Sequence, residues 1–134
     1  MRREGEEMSK TKTIQGNWIM EKDEIIEGDL KVKGNISGKD GNRYNLIVNG
    51  DLNCRNLDCM DLNCRNLNCR NLKCGDLNCW DLDFFAVAFA YSSFKCKSVK
   101  GRRENSKYFC LDKEVEVTGW QKQSYEQEIK NEKQ

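Results

Sequence analysis

Six of the eight cysteines stand at positions 54, 59, 64, 69, 74 and 79, each five residues after the last. Thiols in such a row could serve metal ligation, redox exchange or packing. Tetrahedral zinc sites draw on close pairs such as C-x2-C that fold back on one ion, whereas an even C-x4-C ladder spreads its thiols over successive stretches of chain. Histidine is absent, which removes the commonest metal ligand, the commonest general base and every Ser-His or Cys-His pairing. The chain also lacks a Gly-Lys-Ser/Thr phosphate cradle. No catalytic residue, metal ligand or cofactor site is therefore expected, and the reading is of a non-enzyme. Packing suits the cysteines better, because Cys behaves as a small, well-buried apolar residue.

The elements that would hold such a ladder follow from its period. Aligned on leucine, the units read GDLNC, RNLDC, MDLNC, RNLNC, RNLKC, GDLNC and WDLDF. A five-residue step scatters leucines around a helix and sends them to alternate faces of a flat strand. Both readings fail. If each unit is one short side of a coil, Leu and Cys point inward together, with Leu67 and Leu72 among the core residues, while polar residues face out. Asp and Asn suit the corners through local hydrogen bonds, and Gly50 and Gly75 relieve the penalty of positive φ there. Repeats of this size must stack to bury a core.

The stretch from Leu52 to Phe94 resembles the pentapeptide-repeat proteins. That resemblance implies an all-β fold, a right-handed, roughly four-sided parallel β-helix of about four coils with flexible charged termini. With four sides, residues 20 apart stack: Leu52 beneath Leu72, Leu57 beneath Leu77, Cys54 beneath Cys74, Cys59 beneath Cys79. Phe84 and Phe89 then replace cysteines one coil later, with Leu82 and Val87 inward beside them. At 134 residues one domain is expected. Its parts read as a flexible segment at 1–17, a solenoid at 18–120 with repeats at 50–94 and a basic closing segment at 95–117, and a polar tail at 121–134. A turn protrudes at residues 38–42, and Trp18 and Trp120 cap the two ends.

Charge is nearly balanced, 23 basic residues against 22 acidic, so any electrostatic attraction must be local. The N-terminus lacks a signal-peptide core, and no 18-residue apolar run could span a bilayer. The expectation is a cytoplasmic protein with no membrane partner. Arg55, Arg65 and Arg70 read as solvated surface. Lys95, Lys97, Lys100, Arg102, Arg103 and Lys107 stand against Glu104 alone across 13 residues, which reads either as a partner-binding patch for phosphates or acidic protein or as a solvated, aggregation-resistant loop. Met60, Trp80, Phe85 and Tyr91 read as an outward apolar patch, with Met60 one coil before Trp80, open to a partner or to self-association, or else covered by the C-terminal segment.

The closing stretch FKCKSVKGRRENSKYFCLD and the Cys-rich repeat are similar to proteins of phages and mobile elements of low-GC Gram-positive bacteria. This implies a macromolecule-binding solenoid, encoded by a phage, that inhibits a host nucleic-acid-processing or defence system in the manner of anti-CRISPR proteins. Its partner would be a protein, such as a nucleic-acid-processing complex. The alternatives are direct nucleic-acid binding through the basic segment, or the DNA-mimicking, gyrase-interacting role known in the family. The last is disfavoured by nine acids against eight bases over residues 25–90, too even a balance for mimicry of a phosphate backbone.

Overall fold

The computed structural model describes residues 11–119. Every strand pair in it is parallel, and each coil of chain lays one strand on each of three faces. The first coil is β1 (Thr11–Ile14), β2 (Trp18–Met20) and β3 (Glu24–Glu27); the second is β4 (Asp29–Val32), β5 (Ile36–Gly38) and β6 (Leu46–Asn49). β7 (Leu52–Asn53), β8 (Asn56–Asp58) and β9 (Leu62–Asn63) form the third. In the fourth and fifth coils one continuous strand bends around all three faces, β10 (Leu67–Asn78) and then β11 (Asp81–Cys96), before β12 (Ser98–Gly101), β13 (Lys107–Cys110) and β14 (Glu116–Val117) close the stack. The first face thus carries β1, β4, β7 and β12, the second β2, β5, β8 and β13, and the third β3, β6, β9 and β14, with β10 and β11 running through each.

The parallel β-solenoid is as expected, but it has three sides and six coils rather than four of each. Leu52 pairs with Leu67, Leu57 with Leu72 and Leu62 with Leu77, a step of 15 residues rather than 20. Leu72 therefore lies on Leu57 and beneath Ala88, and Leu77 lies on Leu62. A five-residue repeat sets the length of a side, while the turn angle at each corner sets how many sides close a coil. Stacking also begins earlier than expected, because β1 pairs with β4 inside the segment read as flexible. The 121–134 tail, Trp120 and residues 1–10 lie outside the described residues. Between β5 and β6 the expected protrusion is a 3-10 turn, Lys39–Gly41, with Asp40 at φ 57°.

Leucine and cysteine fill the interior as their spacing predicts. From Leu52 to Cys79 every Leu and Cys of the repeat is buried, and among the described residues no polar or charged side chain is. Each such leucine contributes about 1.5–3 kcal/mol through burial. Trp18 packs against the core at the first coil, in register with Ile36.

The fifth coil departs from expectation. Val87 is exposed and Phe89 half-buried, while Ala88 and Ala90 are fully buried. A bulge between Cys69 and Asn71 sets Asn71 opposite Val87, one residue later than the 15-residue step would place it, and this turns the expected inward residues outward. The physical reason is volume. Phe84 and Phe94 are both inward, and a tube of fixed perimeter takes two phenylalanines only if neighbouring positions shrink. Tyr108 then stacks over Ala88, edge-on to Phe84 at 6.1 Å and tilted against Phe94 at 5.8 Å.

Candidate functional site

Each face opens on a column of Asp or Asn whose side-chain oxygens accept backbone N–H groups from the next coil. On the first face Asp51 N–H donates to Asp29 Oδ1 (2.8 Å), Asn66 N–H to Asp51 Oδ1 (3.3 Å), and Ser98 Oγ–H to Asp81 Oδ1 (2.6 Å). The second face repeats this through Asn17, Asn35, Asn56 and Asn71, and the third through Asp23, Asn45, Asp61 and Asp76. These bonds satisfy corner amides that the sheet leaves unpaired. They account for Asp51, Asp61, Asp76 and Asp81 as parts of the frame.

The corners carry the functional side chains. Successive coils hydrogen-bond at each corner, so corner residues stack in columns roughly 4.8 Å apart. Entering the first face, Arg65 N–H donates to Gly50 O (2.9 Å), Trp80 N–H to Arg65 O (2.7 Å) and Lys97 N–H to Trp80 O (2.6 Å). Leaving it, Arg55 N–H donates to Gly34 O (2.9 Å), Arg70 N–H to Arg55 O (2.7 Å) and Arg103 N–H to Phe85 O (3.0 Å). Gly50 is needed here for closeness rather than for positive φ: a Cβ would come within 2.4 Å of Asp29 Oδ1. Gly75 is likewise tight, since a Cβ there would lie 3.1 Å from Met60 Sδ, and the glycines with positive φ among the described residues are instead Gly16, Gly28 and Gly41.

Arg55, Arg65 and Arg70, read from the sequence as scattered surface, thus become two ridges bordering one face, and each ridge holds an aromatic ring. Arg65 lies 5.2 Å and Lys97 4.6 Å from the Trp80 ring centre, and Arg102 lies 5.9 Å from that of Phe85, within cation–π range. Trp80 is 45% and Phe85 43% exposed. Between the ridges the outward row of the face is Lys31, Asn53, Asn68, Asp83 and Lys100.

The basic closing segment is distributed rather than gathered. Lys97, Lys100, Arg102 and Arg103 join the first face and its corners, but Lys95 projects from the third face, 4.0 Å from Glu116, and Lys107 from the second. Arg102 is engaged within the fold: it pairs with Asp83 and donates to Cys69 O (3.1 Å) and Asn68 Oδ1 (3.2 Å). The near-zero net charge conceals a segregation. Cations outnumber carboxylates on the first face and its corners, despite Asp29, Asp51, Asp81 and Asp83. The third face has a like column of Asp23, Asp61 and Asp76, but among the described residues only Lys95 and Glu116 are charged members of its outward row, Glu24 sharing the inward register of buried Leu46. Burial, reinforced by Asp76, holds the Asp61 carboxyl above the usual carboxylate range.

The four apolar candidates do not form one patch. Register puts Met60 beneath Gly75 at the corner between the second and third faces, and Arg65, not Met60, beneath Trp80. Trp80 and Phe85 stand at opposite corners of the first face, and Tyr91 belongs with the second. There the bulge has assembled what the sequence reading missed: Phe89 packs 4.6 Å from Tyr91 and 4.7 Å from Phe109. With Val87 they wall a shallow groove of about 630 Å³ floored by Asp58 and Lys73. Arg43 braces it, 5.7 Å from the Tyr91 ring and bonded to Asp58 at 2.7 Å. The signal available in the sequence was the Ala88-x-Ala90 pair, too small to be anything but inward beside two phenylalanines.

All eight cysteines are free thiols, and those of the ladder are buried. Burial pushes Cys59 and Cys69 up to about 12 and raises Cys54 and Cys74 as well, while Cys79 is raised first by its hydrogen bond with Cys64. A nucleophilic or ligating cysteine needs the opposite shift. Among the described residues no cluster of His, Cys, Asp or Glu is placed to hold a metal ion. No family model, curated protein or solved structure matches the chain.

Proposed function

We propose that the protein is a non-enzymatic, cytoplasmic binding scaffold of pentapeptide-repeat type whose first face receives the phosphate backbone of a nucleic acid. One observation carries this reading: Arg65 and Lys97 on one edge, and Arg55, Arg70 and Arg103 on the other, border the same face, with Lys31 and Lys100 between them. Cations in parallel rows complement a regularly spaced polyanion and release its counterions. The third face carries Asp23, Asp61 and Asp76 without comparable rows of cations among the described residues, so it does not compete for the strand. Sequestering nucleic acid in this way is how a phage-encoded inhibitor of a nucleic-acid-processing or defence system, the setting that the sequence resemblance implies, would use such a surface.

The test is fluorescence anisotropy with labelled oligonucleotides over a salt series. Binding is expected to weaken linearly on a log–log plot, with a slope near −0.7 to −0.9 per phosphate contacted. The variant Arg65→Glu/Arg70→Glu/Lys97→Glu abolishes it, whereas Lys95→Glu/Lys107→Glu, on the other two faces, leaves most of it. Equal losses in the two variants would show a diffuse attraction, and an absence of binding at low salt would remove the proposal.

A further inference from the structure

We infer that the first face takes single-stranded rather than duplex nucleic acid and stacks bases on Trp80 and Phe85. This deepens the preceding reading and rests on it. Phosphate binding alone gives no reason for rings among the cations, and Trp80 remains 45% and Phe85 43% exposed even with those cations over them. Both rings belong to the fifth coil and flank residues 81–84, which cross the first face. Five residue steps of extended chain lead from one to the other, so their backbones stand at most about 16 Å apart across the face. A strand crossing the face there could lay one base on each ring while its backbone meets Lys100 and the cations of both ridges. Single-strand binders combine these two ingredients, a cationic track and aromatic platforms, because every base has a face to stack. A duplex keeps its bases in its own stack and offers nothing to the rings.

The cations over the rings are part of the argument. Without ligand, Arg65 and Lys97 lie on Trp80 and Arg102 on Phe85, which shields the rings and holds the charges in place. An incoming base displaces a mobile Lys97 ammonium from the ring, and the ammonium turns to the adjoining phosphate. Ring and cation both keep a partner, so the exchange leaves no charge uncompensated. Arg102 differs in being tied to Asp83 and Asn68, so Phe85 is approached from the side that guanidinium leaves open.

The experiment compares three probes on the intact chain: an oligothymidylate, a hairpin duplex and inorganic polyphosphate, which carries charge without bases. Oligothymidylate is expected to bind most tightly, and Trp80→Ala or Phe85→Ala to weaken it roughly tenfold with the salt slope and the polyphosphate affinity unchanged. Trp80→Phe, which keeps a platform, should recover most of the loss. Intrinsic fluorescence should respond to oligothymidylate in the wild type and lose most of that response in Trp80→Phe. A duplex preference, or alanine variants that bind oligothymidylate as the wild type does, would overturn the inference while salt-sensitive binding of all three probes left the polyanion reading standing. Failure to bind any of the three would remove both.

Discussion

Coils three and four enclose the core by one means and coil five by another. Residues 52–79 line it with one leucine and one cysteine per side, and the register advances 15 residues at every pairing. Residues 81–96 line it with Phe84 and Phe94, the largest buried side chains, balanced by Ala88 and Ala90. Equal parts give a regular wall, whereas unequal parts need an extra residue at two corners, where bulges interrupt the pairing. The irregular coil is also where rings reach the surface: Trp80 and Phe85 border the first face, and Phe89 and Tyr91 wall the groove on the second. Regularity in this solenoid is structural, and departures from it supply the surfaces on which a partner could be read.

The largest expected effect sets the thiol-lined coils apart by pH. Burial raises Cys59 and Cys69 from 9.0 to about 12, and Cys54 and Cys74 are raised by burial too. In the unfolded chain the same thiols ionise near their ordinary value. Below that value both states are protonated and stability does not depend on these groups. Between about pH 9 and 12 the unfolded chain releases protons that the folded chain keeps, so stability falls as pH rises, by about 1.4 kcal/mol per thiol for each pH unit. Several thiols together approach the whole stability of a typical domain. Urea midpoints should be level near neutrality and collapse as pH passes 9, with Cys69→Ala shallower than the wild type. A midpoint that stays level to about pH 11 would mean that the thiols are not in a dry core.

A single stacked pair sharpens the contrast, because Leu72 lies directly beneath Ala88. Leu72→Ala opens a cavity in the regular coil and should cost about 2–5 kcal/mol. Ala88→Leu crowds Phe84, Phe94 and Tyr108 and should cost about 1–3 kcal/mol. In the double variant the added side chain at 88 can occupy the space vacated at 72, so the combined loss should fall short of the sum. Denaturant titrations of the four proteins measure this coupling. Strict additivity would separate the two positions and break the volume argument for the fifth coil.

Inwardness was legible in the sequence from Leu52 to Cys79, because leucine and cysteine two apart can share only one side of an extended segment. The number of faces was not, since a period of five is silent about corner angle, and the stacking of residues 20 apart failed with it. Val87 and Phe89 were misplaced because hydrophobic bulk suggests burial, yet in a closed tube the total volume decides, and the alanines had to be inside. The candidate site suffered most. Lys95 to Lys107 are neighbours in sequence but spread over all three faces, from the third face of the fifth coil to the second face of the sixth, while Arg55, Arg65 and Arg70 occupy like repeat positions and yet frame one face. Which corner a residue occupies depends on the coil length that the sequence concealed.

The smallest effect lies at the seam between the two regimes. Asn71 donates from Nδ2 to Asn56 Oδ1 below (2.9 Å) and accepts the Val87 N–H above (3.0 Å), and the amide column of the second face ends there because Val87 has no side-chain oxygen to continue it. Asn71→Ala removes both bonds and should cost about 1 kcal/mol, with faster hydrogen exchange at the Val87 amide. Asn71→Asp keeps the acceptor for Val87 but removes the donor to Asn56, whose own amide must turn over to donate in its place. It should preserve protection at Val87 while still losing part of the stability. The two variants therefore separate support of the upper coil from cohesion of the lower one. If Val87 exchanges equally slowly in Asn71→Ala, the fifth coil is held by Phe84, Phe94 and Tyr108 alone, and the seam belongs to the aromatic region rather than to the repeat.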